Sequence, residues 1–215
     1  MTEPTAPSLP SAERLPYWRR NPITLGFVFI LLAVYAFTAS QHLLAEPNEI
    51  DIIRLGFYPP LALHGQFWRF FTATLLHGGV GHLSTNVVGL LIFGNLVEPA
   101  LGVLHYILLM LVSSLCGLGL SAVMMPETLT IGASTVGYGL IGAYLAMVLL
   151  VRLQGDRALF WREFRGAVFF ILLFTASNYY QSATINLWAH IGGLAGGGLF
   201  VLALWPFRRI KNSAS

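Results

Sequence analysis

The chain has 215 residues, of which 56% are hydrophobic and only 10% charged, whereas about a quarter of the residues of a soluble domain carry a charge. This composition is that of a membrane protein. The net charge of +3 comes from few ionisable groups and indicates no nucleic-acid surface, and the single cysteine excludes a disulfide framework or a Cys-based metal cluster.

Residues 1–21 are polar and rich in proline, and the first long apolar run begins only after them. In a cleaved signal peptide the charged end is brief and the apolar core follows at once. The segment therefore predicts a short cytoplasmic tail.

Six apolar runs approach the roughly 20 residues that a spanning helix needs. They lie at residues 22–44, 82–101, 104–124, 134–151, 166–180 and 187–206. The fifth is short and contains Asn178, which predicts a tilted or loosely embedded outer end. Between the first two runs, residues 45–81 are too aromatic and amphipathic for a solvated linker, so we predict a structured loop in the membrane interface. The predicted fold is an all-α membrane protein with six transmembrane helices.

The basic residues predict the orientation. Ten of the twelve lie on one side of this topology: Arg14, Arg19, Arg20, Arg152, Arg157, Arg162, Arg165, Arg208, Arg209 and Lys211. Positive residues favour the cytoplasmic side. We therefore expect both termini in the cytoplasm. The expected location of this multi-pass protein is a bacterial inner (plasma) membrane.

Four polar residues stand in the predicted spans at a similar depth, within about one helical turn of the outer surface: His82, Asn86, Ser134 and His190. An isolated serine in such a helix usually bonds back to its own helix, and an isolated histidine near a helix end is usually structural. Their common depth instead favours a site, because serine and histidine are the nucleophile and base of acyl transfer.

Other hydrolytic sites match less well. A zinc protease of the His-Glu-x-x-His type needs a glutamate that "HGGVGH" lacks, and an aspartyl protease needs two carboxylates in the spans, whereas Asp51 and Asp156 lie in loops. A metal site built from His77, His82 and His190 stays open as an alternative, although histidines alone are a thin ligand set.

Small residues continue at helical spacing after the serine and the second histidine. Gly139 and Gly142 follow Ser134, and Gly193 and Gly197 follow His190. Such faces let two membrane helices approach closely. They predict that the fourth and sixth spans touch and bring the serine and the histidine within hydrogen-bond reach.

Three stretches carry a family resemblance: "FWRFFTATLLHGGVGHLSTNVVGLLIFGNLVE" (67–98), "GASTVGYGLIGAY" (132–144) and "AHIGGLAGGG" (189–198). In order and spacing they resemble the signature regions of the rhomboid intramembrane serine proteases, over about residues 22–207. The resemblance implies a six-helix rhomboid-like bundle that acts on membrane-anchored proteins within the lipid bilayer, without cofactor or metal. Residues 208–215 would form a cytoplasmic tail.

The resemblance also implies residue roles. Ser134 would be the nucleophile and His190 the general base, with the Tyr138 ring stacked on the histidine. His82 and Asn86, with the backbone N–H of Ser134, would bind the oxyanion. The supporting and structural positions would be Gly132, Gly142, Gly193, Gly197, Arg69 and Glu98. The fifth span and residues 180–186 would form a gate and a lid.

One residue departs from the pattern, since Thr135 stands where the family has glycine after the serine. We expect its side chain to narrow the space for substrate. Two alternatives follow: a catalytically inactive rhomboid-like protein that binds transmembrane helices, and a specialised processing branch such as a rhombosortase-type enzyme.

Overall fold

The structure is a computed structural model that describes residues 16–39, 47–153, 157–181 and 186–212. Within these residues, every regular element is a helix. In chain order they are α1 Tyr17–Arg20, α2 Pro22–Ala39, α3 Glu49–Leu55, α4 Pro59–Leu63, α5 Arg69–Thr72, a 3-10 turn Ala73–Leu75, α6 Val80–Leu101, α7 Val103–Met124, α8 Ser134–Leu153, α9 Arg157–Gln181 and α10 Leu187–Asn212. The prediction of an all-α protein is confirmed.

Among the described residues, four stretches are long and apolar enough to cross a membrane: Pro22–Ala39, Val80–Leu101, Val103–Met124 and Leu187–Leu204. The apolar part of α8, Ser134–Leu150, is shorter. Large apolar side chains point outward from these helices, among them Phe29 and Phe37 of α2 and Leu199 of α10, each more than half exposed. Such a surface suits lipid and not water. The chain is therefore an integral membrane protein, and the count of six spans stays a prediction.

Some boundaries differ from those predicted. Helix α6 begins at Val80, two residues early, and α9 begins at Arg157, nine residues before the predicted fifth span. Hydropathy ends a predicted span at the first charges, but a helix continues through charged residues that lie at its surface. The predicted end of the first span, residues 40–44, lies outside the described residues.

Helix α8 lies at the centre of the bundle and contacts α6, α7, α9 and α10. Its contact with α10 is made through glycines. A Cβ on Gly142 would overlap the carbonyl oxygen of Leu194, and a Cβ on Gly197 would overlap that of Gly139. The absence of side chains thus allows the two backbones to touch.

The segment between α2 and α6 is held in its own fold by hydrogen bonds from a buried arginine. The guanidinium of Arg69 donates to the carbonyls of Ile53 (2.9 Å) and Gly56 (2.6 Å), and to the side chain of Gln66 (2.7 Å). These bonds satisfy carbonyls that the short helices leave free. The predicted structural role of Arg69 agrees with this arrangement.

A buried glutamate of α6 caps α2. Glu98, 2% exposed, accepts hydrogen bonds from the backbone of Ile23 (2.8 Å) and Thr24 (2.9 Å) and from the Thr24 hydroxyl (2.6 Å). The first N–H groups of a helix have no partner within it, so a carboxylate there satisfies them and favours the positive end of the helix dipole.

We expect Glu98→Ala to lower the free energy of unfolding by about 2–3 kcal/mol, because buried donors lose their acceptor. Glu98→Gln keeps one acceptor oxygen and should lose less. Denaturant unfolding in detergent micelles measures both. Glu127→Ala is the control, since this carboxylate is exposed and accepts from the Tyr58 hydroxyl. Wild-type stability in the Glu98→Ala variant would contradict the capping role.

Candidate active site

The segment before Ser134 is held by the folded loop between α2 and α6. Thr130 exchanges two backbone hydrogen bonds with Phe57, at 2.8 and 2.9 Å, and the Gly132 N–H donates to the Ala73 carbonyl at 2.9 Å. Ser134 then begins α8. The loop thus helps to position Ser134 at the N-terminus of α8.

Gly132 is required for two reasons. Its φ of +110° is one that residues with a side chain rarely adopt, and a Cβ there would come within 2.7 Å of the His82 ring. The imidazole of His82 therefore lies against the backbone two residues before Ser134.

Ser134 and His190, which are 56 residues apart in sequence, meet through their side chains. The Nε2 atom of His190 lies 3.0 Å from the Ser134 Oγ, and the two residues are 5% and 6% exposed. This is the distance at which an imidazole can accept a hydroxyl proton.

The ring of His190 is held by stacking. Tyr138, one turn into α8, lies with its ring centroid 4.3 Å away and nearly parallel, at 17°. The Tyr138 hydroxyl is bonded to the Thr175 hydroxyl of α9 at 2.5 Å. The His190 Nδ1 has no hydrogen-bond partner within the described residues. Among these residues, stacking on Tyr138 is thus the contact that orients the imidazole ring.

Asn86 lies one turn below His82 on α6 and is 1% exposed. Its Nδ2 donates to the His82 carbonyl at 2.9 Å. The structure thus links the two predicted oxyanion ligands to each other, and it brings His82, through Gly132, to the segment that carries the serine.

His77, which the sequence suggested only as a candidate metal ligand, is a further neighbour of the site. Its Nε2 accepts from the Ala133 N–H at 3.5 Å, and its ring lies 5.0 Å from that of His82. Burial, with a smaller contribution from His82, lowers the pKa of His77 to about 3. His77 is therefore neutral near pH 7, as an acceptor must be. Within the described ranges no group of three His, Cys, Asp or Glu side chains is placed to hold a metal ion.

Thr135 does not point where the sequence suggested. It is 1% exposed, and its Cγ2 faces α7, 2.8 Å from where a Cβ on Gly117 would stand. The expectation that this side chain narrows the space for substrate is wrong, because the turn of α8 directs it into the helix interface.

A groove of about 400 Å³ lies between α6 and α9. Phe174 of α9 lines it and also packs on the Tyr138 ring, with the centroids 5.2 Å apart. Most of the predicted lid, residues 182–185, lies outside the described residues.

Fold and site together define a helical membrane protein with a paired serine and histidine near the N-terminal ends of α8 and α10. A family model described as the Rhomboid domain matches residues 64–207. The chain belongs to the rhomboid family, as the motifs predicted.

The relatives whose names carry the word protease include the following three. "Rhomboid-like protease 3" of Toxoplasma gondii is 28% identical over 84% of this chain and 67% of its own length. "Putative rhomboid protease YdcA" of Bacillus subtilis (strain 168) is 31% identical over 63% of the chain and 66% of its own length. "Rhomboid protease GluP" of the same strain is 28% identical over 84% of the chain, which spans only 35% of that relative. At the level of the family, these relatives support the assignment of an intramembrane protease.

Proposed function

We propose that this chain is an intramembrane serine endopeptidase that cleaves transmembrane segments of membrane-anchored proteins. The observation that carries the proposal is the 3.0 Å contact between the His190 Nε2 and the Ser134 Oγ, with the histidine ring stacked on Tyr138. A serine that serves only in helix packing needs no histidine beside its hydroxyl. Nucleophilic catalysis requires a base within hydrogen-bond distance of the nucleophile.

In the proposed reaction His190 takes the Ser134 proton as the hydroxyl oxygen attacks a peptide carbonyl. The resulting imidazolium then protonates the leaving amine. Water, activated by the same histidine, releases the acyl group. The Ser134 N–H, His82 and Asn86 would stabilise the oxyanion, and one such donor is worth about 2.7–4 kcal/mol of barrier.

The substrate we propose is a membrane helix that unwinds locally near small residues, because an intact helix hides its carbonyls in its own hydrogen bonds. The groove between α6 and α9 supports entry from the side, since its Phe174 touches the ring that stacks on His190. Helix α9 would be the gate.

The same proposal includes the topology. Residues 22–207 would form one six-span rhomboid-like domain between tails at 1–21 and 208–215, with both termini in the cytoplasm of a bacterial cell. Phe67, Trp68 and Phe71 are each at least half exposed on the loop before α6, which supports placing this loop in the membrane interface.

The test is purified protein in liposomes with a single-span substrate that carries small residues near its outer end. We expect two fragments, with mass spectrometry locating the cut inside the span. Binding of the substrate helix without any cut would overturn the protease and favour the inactive rhomboid-like protein.

Asn86→Ala should lower turnover about 10–100-fold and leave KM within about threefold, because Asn86 would stabilise charge that appears only in the transition state. Steady-state cleavage rates over a range of substrate densities in the membrane separate the two constants. Asn86→Asp, with nearly the same shape but no donor, should behave alike. A raised KM at unchanged turnover would make Asn86 a docking residue.

Thr135→Gly should lower the free energy of unfolding by about 1–3 kcal/mol, because it empties a buried position between α8 and α7. We expect cleavage rates for substrates with Ala, Leu or Phe at the cut site to keep their ratios within about threefold. Thr135→Val is the matched control, since the buried Thr135 hydroxyl has no partner among the described residues and its loss should cost little. Wider tolerance for Leu and Phe in the glycine variant would restore the steric role.

A further inference from the structure

Asn186 stands immediately before α10, four residues ahead of His190, and is bonded twice to the turn that carries the histidine. Its Oδ1 accepts from the Ala189 N–H at 3.0 Å, and its own carbonyl accepts from the His190 N–H at 3.3 Å. The side chain is therefore the N-cap of α10. Since the Ala189 N–H can only donate, the oxygen of the amide must face it, which fixes the orientation of the amide.

The opposite face of the same amide is bonded to two hydroxyls of other segments. Nδ2 donates to the Ser121 Oγ at 2.5 Å and to the Thr130 Oγ1 at 2.8 Å. Both hydroxyl residues are buried, and their oxygens lie 3.4 Å apart. Each amide hydrogen thus has its own acceptor, and a cap alone would need neither bond.

These two hydroxyls belong to the last turn of α7 and to the segment that leads to the nucleophile. Thr130 lies four residues before Ser134 and is held on its other side by the backbone of Phe57. Asn186 therefore joins the turn that carries His190 directly to the segment that positions Ser134.

We propose that Asn186 is a positioning residue for the proposed reaction: by binding Thr130 and Ser121 it holds His190 in register with Ser134. The inference rests on the proposed function. The glycine contacts hold α8 against α10 deeper in the bundle. Asn186 links the N-terminal end of α10 to the segment before α8. Ser134 and His190 lie between these two points of contact. A displacement of about 1 Å at a reacting pair can cost about a hundredfold in rate.

Three substitutions separate this link from ordinary capping. Asn186→Asp keeps the acceptor for the Ala189 N–H, and its second oxygen can accept from both hydroxyls. Asn186→Ser keeps a cap but is too short to reach both hydroxyls, and Asn186→Ala loses the cap and the link. Thr130→Val and Ser121→Ala remove one bond each without touching α10.

The measurements are kcat and KM for the liposome substrate, the rate at which a fluorophosphonate labels Ser134, and the melting temperature. The label reports the reactivity of the serine without a transmembrane substrate. We expect Asn186→Ser to lower kcat and the labelling rate together by about 10–100-fold, with KM within about threefold, and Asn186→Asp to restore both to within about threefold of wild type. Thr130→Val and Asn186→Ser both remove the hydrogen bond between these two side chains. The double variant should therefore be no slower than Asn186→Ser alone.

Two controls match the changes in kind. Asn48 caps α3 by accepting from the Ile50 N–H at 2.9 Å. Ser114 of α7 carries a buried hydroxyl that has no partner in the part of the chain that the structure describes. Asn48→Ser and Ser114→Ala should leave the labelling rate unchanged.

Normal labelling in Asn186→Ser, or a loss in Asn48→Ser of the same size, would overturn the positioning role while the protease stands. If Asn186→Ser does not fold, the same decision falls to Thr130→Val and Ser121→Ala, which must slow labelling for the role to hold. A wild type that neither cleaves nor labels would overturn the proposed function, and this role with it.

Discussion

Alanine at Ser134 or at His190 is expected to reduce cleavage at least a thousandfold, equivalent to about 4 kcal/mol of barrier, while the protein stays folded. The serine supplies the bond-forming oxygen and the histidine receives its proton, so neither can act without the other. The double variant should therefore be no slower than either single one. Quantified fragments from the liposome assay, together with melting temperatures, measure the effect.

Two residues of α7 serve as controls for the chemistry of the substituted side chains. Ser114→Ala removes a buried hydroxyl for which the described residues offer no partner, and His105→Ala removes a histidine at the first turn of the helix. Both should cleave like wild type. If Ser134→Ala or His190→Ala kept more than a few per cent of the activity at unchanged melting temperature, the dyad would be wrong.

Alanine at Gly142 or at Gly197 is expected to destabilise the protein by about 3 kcal/mol or more. A Cβ at either position would overlap a backbone carbonyl of the facing helix, and backbone cannot rotate away as a side chain can, so α8 and α10 must separate. Because Ser134 and His190 stand on these two helices, cleavage should fall more than about tenfold even where folded protein is recovered.

Gly119 is the matched control on α7, because nothing lies within 4 Å of where its Cβ would stand. Gly119→Ala should be neutral or stabilise the helix by about 0.5–1 kcal/mol, as this exchange usually does. Unfolding in a mild detergent compares the three variants. Equal stability of the Gly142, Gly197 and Gly119 variants would show that the helices are not in contact at these glycines.

Much of the fold could be predicted from hydropathy, because lipid imposes length and apolar composition on every spanning helix. The limits of this signal appear at α9. Its first nine residues carry charges, so hydropathy assigned them to a loop, whereas the helix begins at Arg157. The groove beside Phe174 could not be predicted either, because it depends on how α9 packs against α6.

For the candidate site, the sequence predicted residue types and which of them share one helix. Ser134 and Tyr138 are four residues apart, so their common face follows from the helical period. The role of Asn186 was not found, although an asparagine just before an apolar helix is a recognisable capping signal. Its bonds to Ser121 and Thr130 join segments 65 and 56 residues away, and no local pattern encodes such partners.

The sequence by itself determined the class of protein: an apolar chain of membrane helices, with a serine and a histidine in rhomboid-like motifs and glycines at helical spacing behind both. Only the tertiary structure decided which way these side chains face. It turned Thr135 into the interface with α7, and it brought the His190 Nε2 to 3.0 Å from the Ser134 Oγ. The physical reason is that the helical period defines which residues share a face. The rotation of one helix against another is determined by close packing, here of glycine against backbone, which involves residues far apart in the chain.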